Sequence, residues 1–87
     1  MSSYKRRVSD NCRKHIKKIR SSHDLKKRLK TKMREILADP HHYKPLRNVL
    51  KNHFRTHIGS YVLIFEVQEM EKTVVFHSFL HHDEAYK

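Results

Sequence analysis

Nine histidines in 87 residues are the groups with the widest chemical reach in this chain: His15, His23, His41, His42, His53, His57, His77, His81 and His82. Imidazole can ligate a metal, or give and take a proton near neutral pH. The metal reading has little local support. No HExxH, no CxxC and no carboxylate-flanked H-x-H occurs. His41-His42 and His81-His82 are neighbours, and adjacent side chains on extended chain diverge. A zinc site would need His53, His77 or His81 to be brought together by the fold, so no metal and no other cofactor is expected.

Phosphate chemistry fits better. One glycine cannot make a Gly-rich nucleotide cradle, and nothing resembles a Ser/His/Asp triad. Arg, Lys, His and Tyr remain, gathered around the open sheet face expected below and in the tail FHSFLHHDEAYK, residues 76–87. That set suits metal-free RNA cleavage. A ribose 2′-OH must lose a proton, the phosphorane needs positive charge beside it, and the 5′-oxygen must gain a proton. Histidine serves either proton step. Arginine braces the phosphate with a planar fork, and tyrosine stacks on a base. The bland reading of the tail is a solvated polar end.

Charge points the same way. Lys and Arg outnumber Asp and Glu twenty to nine, for a formal net charge of +11. Residues 1–50 hold sixteen of the basic residues and four of the acidic ones, so nearly all the excess lies in the first half. Such a field favours a polyanionic partner. Cys12 is the single cysteine, which rules out an internal disulfide and reads as a small core residue. No apolar run of membrane-spanning length occurs, and MSSYKRRVSD lacks an apolar signal region. The expected setting is the cytoplasm.

The elements that must position these groups form one domain, 1–87, of α+β class: an N-terminal strand and a two-helix hairpin packed on a small antiparallel β-sheet. SYKRRV, residues 3–8, reads as an edge strand blunted by arginines. Ser9 is an N-cap candidate, followed by Cys12, Ile16 and Ile19 at helical spacing. Ser21-Ser22 breaks the helix, and Ser22 or Asp24 can cap a second. That helix carries the stripe Leu25, Leu29, Met33, Ile36 and Leu37 until Pro40 ends it. HHYKPLRNV, 41–49, reads as a loop. Gly59-Ser60 between extended runs fits a two-residue type II′ hairpin turn. The implied register pairs Ile58 with Tyr61, Thr56 with Leu63 and Phe54 with Phe65 on one apolar face. Arg55 and His57 then point to the opposite, open face. A third strand, about 73–80, returns after QEMEK.

KPLRNVLKNHFRTHIGSYVLIFEV followed by TVVFHSFLHHDEAY resembles the RelE/ParE toxin superfamily in the order and spacing of its segments. The resemblance covers nearly the whole chain. It implies the toxin of a toxin–antitoxin pair, neutralised by a small antitoxin protein. RelE-like members cut mRNA in the ribosomal A site without metal, and ParE-like members poison DNA gyrase. Carried over position by position, the catalytic candidates are Arg55, His57, His82 and Tyr86. His57 stands as general base, His82 as general acid, Arg55 as phosphate brace and Tyr86 as stacking group. The RNA-binding candidates are Lys44, Arg47, Lys51 and His81, with His81 also readable as a packing residue. Two positions depart from the pattern. Val62 stands where an arginine usually follows the turn tyrosine, and His82 where most members have arginine. Each lost donor is worth about 2.7–4 kcal/mol of transition-state stabilisation by analogy with oxyanion-hole deletions. The implied function is a ribosome-dependent mRNA endoribonuclease. The alternatives are a gyrase inhibitor or a weak homologue that only binds antitoxin or RNA.

Overall fold

The computed structural model describes residues 3–46 and 51–85. The elements run β1 (Lys5–Val8), α1 (Asp10–Lys18), α2 (His23–Ala38), a 3-10 turn (Pro40–His42), β2 (Lys44–Pro45), β3 (His53–Ile58), β4 (Tyr61–Gln68), β5 (Thr73–His81) and α3 (His82–Ala85). The five strands form one sheet in the order β1-β5-β4-β3-β2. The architecture is the expected α+β one, with one addition. β1 runs parallel to β5, so the sheet is mixed, not purely antiparallel. The two helices between them provide the long crossover a parallel pair requires. The segment expected to be a loop also holds more structure. Tyr43 leads out of the 3-10 turn into β2, where Lys44 pairs with Arg55 and Pro45 with Phe54.

Local chemistry explains both helices. Ser9 is extended, with ψ 160°, and its Oγ accepts the Cys12 N–H at 3.0 Å, so it caps α1 as expected. Ser22 occupies the N-cap position of α2 without a side-chain cap bond. Asp39 is forced out of helical conformation before Pro40, and α2 ends at Ala38. Leu29, Met33 and Ile36 bury the α2 stripe, with Leu25 and Leu37 half-buried beside it.

The β3–β4 hairpin has the expected register, Ile58↔Tyr61, Thr56↔Leu63 and Phe54↔Phe65. Gly59 supplies the positive φ, +61°, that the turn needs. An added Cβ there would meet the Arg28 guanidinium of α2 at 3.3 Å. Ile58, Leu63, Phe65, Val67, Val74, Phe76 and Phe79 then line one face of the sheet and pack with Cys12, Ile19, Leu29, Met33 and Ile36. Each fully buried aromatic among them contributes about 1.5–3 kcal/mol. Between β4 and β5 the register slips. Ile64 pairs with Ser78 but Phe65 with Phe76, so His77 is an extra, bulged residue.

β1 is four residues long and β5 is nine, so β1 cannot satisfy the whole outer backbone of β5. The start of α1 takes over. Ser9 N–H donates to the Phe76 carbonyl at 3.0 Å, and Ser9 Oγ–H to the His77 carbonyl at 3.1 Å. Further along, the Phe79 N–H donates to His15 Nδ1 at 3.1 Å. An accepting Nδ1 means that His15 is neutral and carries its proton on Nε2. His15 is 8% exposed. Burial lowers its pKa, Lys18 adds to the effect and Glu84 opposes it.

The sign of the linkage follows. A depressed pKa means the unfolded chain binds the proton more readily, so this contribution is complete above the ordinary value of about 6.5 and is lost as pH falls below it. Denaturant melts from pH 8 to pH 5 should show a stability loss that His15→Leu does not show. That variant should itself cost about 1–3 kcal/mol at pH 8 by orphaning the Phe79 N–H.

Candidate active site

The open face of the sheet is built from alternate residues of β3, β4 and β5. Its rows are His53–Glu66, Arg55–Ile64–Ser78 and His57–Val62–Leu80. Lys44 of β2 lies directly opposite Arg55 and so shares this face. Two like charges facing each other across a strand pair repel, and a bound phosphate between them would relieve that repulsion.

A groove of about 210 Å³ is lined by Tyr43, Lys44, Arg55, Thr56 and His57. Burial raises the Tyr43 phenol pKa, which keeps it a neutral hydrogen-bond donor. Lys32 Nζ stands 5.9 Å from the centre of its ring. A second groove, about 470 Å³, lies between α2 and the hairpin, with Lys27, Arg28 and Lys32 interleaved with Asp24 and Glu35 on one wall, Lys32 paired to Glu35 at 3.3 Å, and His57 and Ile58 on the other. His57 is exposed and borders both grooves, so the cations of α2 and those of β2–β3 meet at one imidazole.

The tail is fixed at one point. The His82 N–H donates to the Ser60 carbonyl at 2.8 Å, which pins the start of α3 to the hairpin turn. His82 Nδ1 is 3.3 Å from Asp83 Oδ1, and the ring is exposed. β4 separates β3 from β5, so His57 and the β5 end of the tail are roughly 10 Å apart at the backbone. His81 turns to the helix side of the sheet. It pairs with Tyr61, with the rings edge to face at 5.5 Å, and its Nδ1 accepts the Asp83 N–H at 3.3 Å. Lys51 is exposed in the turn before β3. Arg47 and Tyr86 lie outside the described residues. The fold therefore brings Lys44, Arg55 and His57 together. It places His82 across β4 from them, and His81 on the other face.

Val62 occupies the centre of the open face, between His57 and Leu80, and is fully buried. The position where an arginine was missing from the sequence pattern is thus a dry, apolar patch. Two of the histidines that a metal site would need to have brought together, His53 and His77, do meet, with Glu66 as an unanticipated third member. His53, Glu66 and His77 converge at the end of the face away from the hairpin turn, each half-buried. His77 Nε2 is 2.8 Å from Glu66 Oε1, and the two imidazoles stack at 5.2 Å. The hydrogen bond from His77 is the main reason that the Glu66 pKa is lowered. His81, His82 and Asp83 make a second, more exposed cluster.

A third groove lies on the far side, between β1 and the helices. Its floor is Val8, Ile16, Leu29 and Met33, and its rim is Arg6, Arg7, Arg13, Lys17, Lys26 and Lys30. Among the described residues no helix is long and apolar enough to cross a membrane.

The family model described as ParE toxin of type II toxin-antitoxin system, parDE, matches residues 6–86, and the chain belongs to the RelE/ParE toxin superfamily. It is 53% identical over 66 residues to a Methanocaldococcus jannaschii protein named "Putative toxin RelE4", covering 71% of this chain and 70% of the relative. The fold is similar to the toxin in the RelB–RelE antitoxin–toxin complex from Methanococcus jannaschii, with a TM-score of 0.72 and 22% identity over 92% of this chain and 94% of that one. It is also similar to the isolated E. coli RelE toxin, with a TM-score of 0.73 and 20% identity over 97% and 96%.

The Lys44–Arg55 opposition gives a direct test. Lys44→Ser should leave stability unchanged or raise it by up to about 1 kcal/mol in denaturant melts. The same variant should weaken binding of a single-stranded RNA and lower the slope of log affinity against log salt by roughly one.

Proposed function

We propose that this toxin is a ribosome-dependent mRNA endoribonuclease that cleaves by 2′-OH attack. The observation that carries the reading is His57, a proton-transfer group at the junction of a cationic groove, with Lys44 and Arg55, and a mixed-charge one that carries Lys27 and Arg28. RNA backbone threading from α2 to β2–β3 would pass Lys27, Arg28 and Lys32, cross His57, and reach Lys44 and Arg55. His57 takes the 2′-OH proton as general base. Arg55 and Lys44 hold the scissile phosphate and stabilise the charge that grows on its oxygens. His82, whose backbone N–H is bonded to the Ser60 carbonyl and whose ring is exposed, protonates the leaving 5′-oxygen as general acid once substrate draws the ring over the face. Tyr86 stacks on a base, and Arg47 and Lys51 hold flanking nucleotides, whereas His81, packed on Tyr61 on the other face, drops out of the RNA-binding set.

The third groove supports the partner. An apolar floor between cationic rims is complementary to an amphipathic acidic helix, which fits a small antitoxin. The M. jannaschii structure named above is a complex of a toxin with its antitoxin.

A second reading is favoured by Val62. A dry apolar centre lacks the donor that phosphorane stabilisation needs, which suits a gyrase-directed or purely binding relative.

In vitro translation with mapping of new mRNA 5′ ends separates the two. Ribosome-dependent cleavage that His57→Ala and His82→Ala each reduce tenfold or more supports the nuclease. Intact mRNA together with inhibited supercoiling by gyrase supports the second reading. Cys12→Ser should leave cleavage unchanged, because the thiol is fully buried and burial pushes its pKa up to about 11. Arg13→Glu combined with Lys30→Glu should weaken antitoxin capture at least tenfold and leave cleavage intact.

A further inference from the structure

We infer that His53, Glu66 and His77 form a binding site for a single zinc-like divalent metal, which ties β3, β4 and β5 together across the open face. This lies beyond the proposed cleavage chemistry, in which the site takes no part.

The donor set is two imidazoles and one carboxylate, one from each of three adjacent strands. A tetrahedral zinc ion with bonds of about 2.0–2.2 Å sets its ligand atoms about 3.3–3.6 Å apart. Here the Glu66 oxygen stands 2.8 Å from His77 Nε2 and 3.9 Å from His53 Nε2. All three ligand atoms lie within 4.8 Å of one another. The two separations bracket the required one, and because each lone pair lies in its ring plane, His77 must rotate out of its stack on His53 to complete the geometry.

His53 is already oriented for ligation. Its Nδ1 is 2.8 Å from the Lys51 carbonyl. A carbonyl can only accept, so Nδ1 carries the proton and Nε2 presents its lone pair toward Glu66. A ligating histidine that donates its other N–H to a backbone carbonyl is the usual supporting arrangement of a metal site. His77 now points Nε2 at the same oxygen. On binding it takes the Nδ1–H tautomer and turns its lone pair to the metal.

The stacking argues against a simple ion pair. The rings are nearly parallel, 11° apart, with centroids 5.2 Å apart. Protonating both would place two like charges face to face over one carboxylate, whereas a metal keeps both imidazoles neutral. Two nitrogen donors select zinc, cobalt or nickel over magnesium or calcium, which prefer oxygen. The three protein ligands leave a fourth position for water on the solvent side.

The register bulge makes the site possible. His53 and Glu66 are cross-strand partners, but the next residue in line on β5 is Val75. The extra residue His77 is brought to Glu66 only because the pairing slips between Ile64 and Phe65.

The test is titration of the purified, metal-stripped protein with Co²⁺, read by its visible absorption, and with Zn²⁺, read by thermal melting. The expected result is one equivalent of Co²⁺ with tetrahedral d–d bands, and a melting temperature raised by about 5 °C or more by excess Zn²⁺ and restored by EDTA. His77→Gln and Glu66→Gln should each abolish the bands. His81→Ala, which dismantles the other histidine cluster, should retain them. Absence of stoichiometric binding, bands that survive His77→Gln, or bands lost in His81→Ala would each overturn the inference. If either glutamine variant fails to fold, imidazole NMR of the unaltered protein decides the matter. His53 and His77 must shift with the first equivalent of Zn²⁺, and a first response from any other histidine refutes the site.

Discussion

The outer backbone of β5 is the constraint on which the structure turns. A nine-residue strand beside a four-residue partner leaves buried N–H and C=O groups that must be satisfied somewhere. Ser9 and His15 satisfy them, and in doing so fix where α1 sits. Ser9 has a double part, since one hydroxyl caps the helix and also holds the carbonyl of the bulged residue. Because α1 is locked to β5, the apolar stripe of the hairpin closes on the other face of the sheet, and the open face is left uncovered by α1 and α2. Neutral imidazole is the only ordinary side chain that could accept from Phe79 while its other nitrogen still carries a proton. That explains why a polar residue sits in a position whose neighbours are Cys12 and Ile19.

The chemistry of the open face is divided by the same sheet geometry. Basic groups collect on the β3 side because Lys44, Arg55 and His57 alternate onto it. The tail group arrives from the β5 side, with Val62 between. The proposed cleavage would therefore need the His82 side chain to reach across β4 from the backbone bond that joins His82 to Ser60. Three other imidazoles, His53, His77 and His81, have structural partners of their own. The high histidine count thus splits into separate small arrangements and does not make one catalytic array.

Much of this was legible in the residues. The lone glycine, Gly59, with Ser60 beside it, was enough to set the hairpin register, because one residue of slip would have turned Phe54, Leu63 and Phe65 to solvent. Asp39-Pro40 marked the end of α2 by sterics alone. His15 stood at helical spacing with Cys12 and Ile19, and only its residue type hid it from the stripe. The same register that pairs Ile58 with Tyr61 pairs His53 with Glu66, so half of that cluster could have been read in advance. His77 could not, because a β-bulge has no local signature in VVFHSFL. The β2 bridge was missed for a related reason. Two residues ending in proline carry no periodicity, and their strand character comes entirely from the edge of β3.

The ends of the sheet carry a last consequence. One edge is β1, whose Lys5, Arg6 and Arg7 are all exposed, and the other is β2, two residues long and closed by Pro45. A second copy approaching either edge meets crowded cations or a strand too short to template another. Concentrated protein freed from a partner is thus guarded against zipping into sheet aggregates, and that protection comes from the same residues that make it so basic. A charge pattern suited to a polyanion doubles as colloidal insurance for a molecule that must act while alone.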